Sequence, residues 1–219
     1  MVRLTRRRFV GALVAGVSQA CPMSPAEAQA PLEPGRITGG QPAGLFYRVE
    51  VAVVGPRRVD TRTWPFLPSQ RVSRVYPYGA VFDPTRCSGD TCGSYQIAGA
   101  QLAVRWDGGR VLQWAFAATA EGITLDGALY RPARRMTGAA LVGRWVDGAG
   151  SNVYVFDANG QFSFGTLGGG GLTGTYQLQG FALTLTFADG GTRRRALFVA
   201  SAGEPVGLIS VEGEVYTRK

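Results

Sequence analysis

The residues of this chain with chemical capacity are three cysteines, fifteen acids and twenty-two arginines, and histidine is absent. A serine or cysteine triad normally takes its general base from histidine, so that chemistry has no base here. Cys87-Ser88-Gly89-Asp90-Thr91-Cys92 is a short segment of turn-formers closed by two thiols, and it reads as a local disulfide worth about 2 kcal/mol in the chain-entropy picture. A zinc site wants four ligands, and neither histidine nor a further mature cysteine exists to complete one. Asp107, Asp126, Asp157, Asp189 and Glu212 fall at or beside hairpin turns. A carboxylate there serves nearby backbone N–H groups, not the facing pair that glycoside hydrolysis requires. No catalytic residue, metal or cofactor is expected.

Glycine and arginine runs suggest binding more than reaction. Gly168-Gly169-Gly170-Gly171 could cradle phosphate only if it led from a strand into a helix N-terminus. A strand follows instead, so the run reads as a hairpin tip. Arg193-Arg194-Arg195, Arg134-Arg135 and Arg57-Arg58 are candidate anion contacts. Alternate strand residues face opposite ways, however, so the three consecutive arginines cannot share one surface, and no nucleic-acid partner is expected. The segment Tyr76 to Cys92 carries Tyr76, Tyr78, Phe82 and Arg86 on an enlarged, stapled loop. Aromatic side chains beside an arginine form a recognition surface for a ligand or partner; the other reading is that they cap the open end of a barrel.

These residues must be positioned by β-structure. In Phe181 to Phe187, apolar Phe181, Leu183, Leu185 and Phe187 alternate with Ala182, Thr184 and Thr186, the period of a strand with one buried face. Gln101 to Trp106 alternates in the same way. Asn159-Gly160, Asp107-Gly108, Asp189-Gly190 and Asp126-Gly127 supply hairpin turns. No 3.6-residue period runs for three turns.

The chain also repeats itself. Gly93-Ser94-Tyr95-Gln96, followed by Leu102, Val104, Trp106 and Gly108-Gly109, returns as Gly174-Thr175-Tyr176-Gln177, followed by Leu183, Leu185, Phe187 and Gly190-Gly191. Repeats are expected at 44–131 and 139–219, joined by 132–138 and preceded by a linker at 29–43. Each would hold up to eight short strands as a meander, which curls on itself because an open meander leaves two exposed edges. Its longest loop would precede the Gly-Ser/Thr-Tyr strand, at 76–92 and 165–173.

Gly143-Arg144-Trp145, Tyr154-Val155-Phe156 and the closing Gly213 to Tyr216 resemble the small lipocalin-like domains of bacterial envelope proteins. That resemblance implies an all-β fold of two tandem antiparallel meanders, each a closed or nearly closed barrel; the alternative is one larger interlocked barrel. It speaks for fold far more than for activity.

The first residues set the expected location. Arg3, Arg6, Arg7 and Arg8 precede an apolar run from Phe9 to Val17, too short to span a bilayer, and then small residues. Thr5-Arg6-Arg7-Arg8-Phe9-Val10 resembles the twin-arginine export consensus, with Arg6, Arg7 and Phe9 at its positions. The resemblance implies the twin-arginine translocase as a transient partner. Cleavage is expected after Ala28, because a cut after Ala30 would leave Pro31 first. Lipidation at Cys21 is not expected, since Val17-Ser18-Gln19-Ala20 misplaces the aliphatic residue of a lipobox. Loss of residues 1–28, with four Arg and one Glu, leaves a net charge of +5. The mature chain has no apolar run long enough for a transmembrane helix. The expected product is a periplasmic or secreted protein of a Gram-negative-type bacterium. It would be a non-enzymatic binding or structural module for a small apolar ligand or an envelope protein. The alternatives are a histidine-independent enzyme using barrel-lining Arg, Tyr or carboxylate, and an assembly subunit.

Overall fold

The structure, a computed structural model, describes residues 31–52, 58–166, 169–201 and 205–219. The export residues Arg6, Arg7 and Phe9, Cys21 and the cleavage site at Ala28 lie outside them. Strand makes up 61% and helix 5%, so the chain is all-β as expected.

Among the described residues the first strands are β1 (Arg36–Thr38), β2 (Gln41–Ala52), β3 (Arg58–Phe66) and β4 (Arg71–Ser73). They are followed by β5 (Cys92–Ala98), β6 (Gln101–Trp106), β7 (Val111–Thr119), β8 (Gly122–Leu125) and β9 (Ala128–Pro132). A one-turn helix, α1 (Gly138–Leu141), leads to β10 (Gly143–Asp147), β11 (Asn152–Phe156), β12 (Gln161–Thr166) and β13 (Gly171–Gln179). The chain ends with β14 (Ala182–Phe187), β15 (Thr192–Val199), β16 (Leu208–Val211) and β17 (Glu214–Arg218).

Each neighbour from β10 to β17 pairs antiparallel with the next, and β17 returns to β10 with Trp145 opposite Arg218 and Asp147 opposite Tyr216. This is a closed eight-stranded antiparallel barrel. Closure removes the free edges that a meander would otherwise expose. The alternation read in β14 places Leu183 and Leu185 inside, packed with Trp145, Tyr154, Phe156 and Leu197. Thr137 Oγ1 caps α1 by accepting from Ala140 N at 3.2 Å, and Trp145 Nε1 donates to Leu141 O at 2.8 Å. The Arg218 guanidinium lies 5.4 Å from the centre of the Trp145 ring and donates to Val142 O, so the helix and the last strand are tied to the first.

The extra strands continue the ladder through β2 to β9, and β9 meets β2 where Phe46 faces Pro132 and Tyr47 faces Arg131. Residues 29–43, expected as a linker, contribute β1 and the first three residues of β2. Gly39 and Gly40, both at positive φ, turn β1 back so that Arg36 stands opposite Ala43. The glycine run lies at the tip of the β12–β13 hairpin as expected, but the two strands stay paired out to Gly165 opposite Gly171. The second long loop expected at 165–173 is thus mostly strand.

Several local positions recur between the two ladders. Phe66 stands between Gly44 and Val72, as Phe156 stands between Gly143 and Phe162. Gly93 stands between Val72 and Trp106, as Gly174 stands between Phe162 and Phe187. A Cβ on either glycine would fall on the carbonyl oxygen of Arg105 or Thr186, which is why the motif needs glycine there. The ladders meet at an apolar seam that includes Leu45, Tyr47, Phe181, Ala196 and Phe198, with the rings of Tyr47 and Phe198 5.1 Å apart. Across the same junction Thr61 N donates to Gly213 O at 2.8 Å.

Candidate functional site

The most chemically loaded concavity is a cleft of about 430 Å³ at the rim of the β2–β9 ladder, lined by Thr61, Arg62, Thr63, Trp64, Arg74, Tyr76, Trp114 and Tyr130. Strand parity builds it. Val72 points into the core, so Arg74, two residues on, emerges on the same face at the rim. Past β4 the backbone stays extended because Arg74 N donates to Thr91 O at 2.8 Å, while Ser73 Oγ accepts from Val75 N at 2.9 Å. The Arg74 guanidinium thereby lies 4.3 Å from the ring centre of Trp106, 5.3 Å from Trp114 and 5.6 Å from Trp64. The indoles brace one another edge to face, Trp64 against Trp114 at 5.3 Å and 82°. Such cation–aromatic contacts are each worth about 0.5–1 kcal/mol at exposed sites.

The neighbouring arginines are committed. Arg62 pairs with Glu50, Arg110 with Asp90 at 3.1 Å, and Arg71 bidentately with Asp107. Arg74 has no carboxylate partner among the described residues. Partial desolvation against the rings, reinforced by the Arg110 charge, lowers its pKa from the ordinary arginine value although the residue is exposed. The Trp106 indole N–H, buried, also has no hydrogen-bond partner among the described residues.

The stapled loop borders this cleft. Cys87 and Cys92 form a disulfide with Cα atoms 5.2 Å apart. Tyr76 lines the cleft, and its hydroxyl reaches across to Ser210 Oγ at 3.2 Å, beside the Thr61–Ser210 hydroxyl pair at 2.9 Å. Burial pushes the Tyr76 phenol well above its usual range and keeps it protonated. Tyr78, 44% exposed, packs edge-on against Tyr76 at 5.5 Å, and the Arg86 guanidinium sits 4.5 Å from the Tyr78 ring centre. Phe82 is 4% exposed and packed with Leu67 and Cys92 beneath the loop. The structure brings Tyr76, Tyr78, Phe82 and Arg86 together around one small pocket, with Phe82 the most buried of them.

The turn acids act as the sequence suggests, on backbone N–H groups. Asp126 accepts from Ala115 N at 2.8 Å, Asp157 from Asn159 N and Gln161 N, Asp189 from Gly191 N, and Glu212 from Ala196 N at 2.6 Å. Asp107 differs, taking Arg71. Arg193 and Arg195 stand opposite Leu185 and Leu183 and share their face, while Arg194 turns the other way. No group of three His, Cys, Asp or Glu close enough to hold a metal occurs among the described residues, and no helix there is long and apolar enough to cross a membrane.

Sequence reasoning missed Arg74, Trp64, Trp114 and Tyr130 as a group. Parity from Val72 and from Leu112-Gln113-Trp114 could have placed Arg74 and Trp114 on inward faces, but nothing local says that these strands converge. No protein-family model, curated protein or solved structure matches this chain.

Proposed function

We propose that this is an exported envelope protein that binds a small ligand or partner without transforming it, and that the binding site is the Arg74 cleft. One observation carries the reading: a cation resting on three indoles, with no carboxylate partner among the described residues, in a cleft whose size falls at the lower end of small-molecule sites. The site offers donors and aromatic faces, which suit recognition. Tyr76, whose hydroxyl is engaged with Ser210 and held protonated, is a poor base for the enzymatic alternative.

We also read the chain as a tandem duplication of lipocalin-like barrels, 44–131 and 139–219. The matching registers around Phe66 and Phe156, and around Gly93 and Gly174, support this, as do the paired turns in which Asp126 and Glu212 hold Ala115 N and Ala196 N. The Thr5 to Val10 motif supports twin-arginine export to the periplasm or exterior.

Three of the four tryptophans stand at the cleft. Protein recovered from the extracytoplasmic fraction should therefore show saturable changes in tryptophan fluorescence with small amphiphiles, abolished in Trp114→Ala. A fluorescence response indifferent to Trp114→Ala would remove the cleft from the proposal, and retention of Arg6→Lys/Arg7→Lys export would remove the twin-arginine route.

A further inference from the structure

Resting on the cleft reading above, we infer that Arg74 is an oxyanion receptor: the ligand is an apolar, preferably planar, molecule carrying one carboxylate, sulfonate or similarly forked oxyanion. Arg74 is exposed, with its guanidinium over the Trp106 ring, so N–H donors remain open to a ligand, and the forked pairs among them match the two oxygens of a carboxylate or related group. The guanidinium carbon lies 4.3 Å from the Trp106 ring centre, with those of Trp114 and Trp64 at 5.3 and 5.6 Å. The surrounding acids are already spent, Glu50 on Arg62 and Arg48, and Asp90 on Arg110. The cleft therefore keeps an excess of positive charge with its central guanidinium uncommitted, the electrostatic complement of an anion.

The rest of the lining specifies the body attached to that anion. Trp64, Trp114 and Tyr130 line the cleft, Trp114 half-buried and so the main aromatic surface, the other two almost wholly buried with ring centres 6.4 Å apart. A free inorganic anion would leave the Trp114 ring wet, and a purely apolar ligand would lie against a guanidinium whose donors it cannot satisfy. A molecule with both parts satisfies both. Interior space does not compete for it, because Phe46, Phe66, Leu102 and Trp106 fill the barrel below to 1% exposure or less.

The test uses two dyes that share a naphthyl-phenylamine body and differ in charge: 8-anilinonaphthalene-1-sulfonate and the neutral N-phenyl-1-naphthylamine. Both are titrated into the full protein recovered after export, with direct dye emission and tryptophan energy transfer as readouts. The sulfonate should bind roughly tenfold to a hundredfold more tightly, the value of one charge-assisted pair. Arg74→Gln should erase that difference while leaving the neutral dye's affinity within about threefold, and Arg74→Lys should keep part of it. Arg110→Gln, a neighbouring charge outside the stack, should lower sulfonate affinity far less than Arg74→Gln. If the two dyes bind equally well to the unsubstituted protein and both are lost in Trp114→Ala, the cleft binds but the oxyanion inference is wrong. If neither dye binds, or neither responds to Trp114→Ala, the cleft reading itself fails. If Arg74→Gln changes both dyes alike, Arg74 only supports the rings and the inference is overturned.

Discussion

The two rims of the molecule solve one packing problem with exchanged residues. In the β2–β9 ladder an arginine, Arg74, follows β4, and a tryptophan, Trp114, stands on β7 opposite Leu102. At the matching places of the β10–β17 barrel a phenylalanine, Phe164, stands on β12 and an arginine, Arg195, stands on β15 opposite Leu183. Ring and cation have changed strands. Phe164 closes down on Tyr154 with ring centres 4.3 Å apart, and Tyr154 in turn meets Tyr216 at 5.2 Å, so this rim is filled by aromatic carbon. Arg193 lies along Phe187 at 5.5 Å, and Arg195 Nε is buried. The first rim keeps its cation over the rings and a cleft beside it. The two rims thus differ in which strand carries the long charged side chain, and only the first keeps a cleft beside it.

The largest test of that contrast concerns what lies under the cation. Trp106 and Phe187 occupy matching positions, but Trp106 is 1% exposed and Phe187 only half-buried. Trp106→Ala should cost about 3–5 kcal/mol by leaving a large cavity, and Phe187→Ala clearly less, measured by chemical denaturation. Equal costs would mean that the two rims are built alike after all.

Exchanging the rim residues should act unequally. Phe164→Arg would remove the ring from Tyr154 and place a third cation beside Arg193 and Arg195, at a cost of about 2–3 kcal/mol. Arg74→Phe, which writes the plugged rim into the open one, should move stability by less than about 1 kcal/mol while abolishing the preference for the anionic dye. Denaturation midpoints and dye titrations on the same samples separate the two effects.

Alkali should act on the buried phenols of both ladders, Tyr76 in the one and Tyr154 and Tyr216 in the other. Burial raises the phenol pKa of both Tyr154 and Tyr216, with Glu214 adding to each. The unfolded chain releases these protons near pH 10 while the folded chain keeps them, so their contribution is complete below pH 10 and falls as pH rises above it. Each such tyrosine removes up to about 1.4 kcal/mol per pH unit. Stability followed from pH 9 to 11 should decline, and Tyr216→Phe should flatten the decline. A decline of the same slope in Tyr216→Phe would assign the sensitivity elsewhere.

Much of the architecture was legible in local pattern because its causes are local. Period-2 alternation located β6 and β14, the Asp-Gly and Asn-Gly pairs located turns, and the spacing of Cys87 and Cys92 sufficed for a disulfide, since six residues bring two thiols together with no help from the rest of the chain. The same pattern separated Arg194 from Arg193 and Arg195. It was less reliable where proline and glycine obscured pairing, as in the short β1–β2 hairpin and between β12 and β13.

The cleft was not legible, and the reason is physical. Alternation assigns a side chain to one of two faces, but it carries no information on which strands will be neighbours once a ladder bends round to meet its own start. Arg74 meets Trp114 only because β4 and β7 curve toward a common rim, and Tyr76 meets Ser210, 134 residues away, only because the two ladders share a seam. Sequence by itself determined most of the strands and turns, the staple and the face on which strand residues alternate. Tertiary structure alone decided that three indoles and one arginine would share a mouth, because closure is a property of the whole ladder and of the apolar surface it must bury.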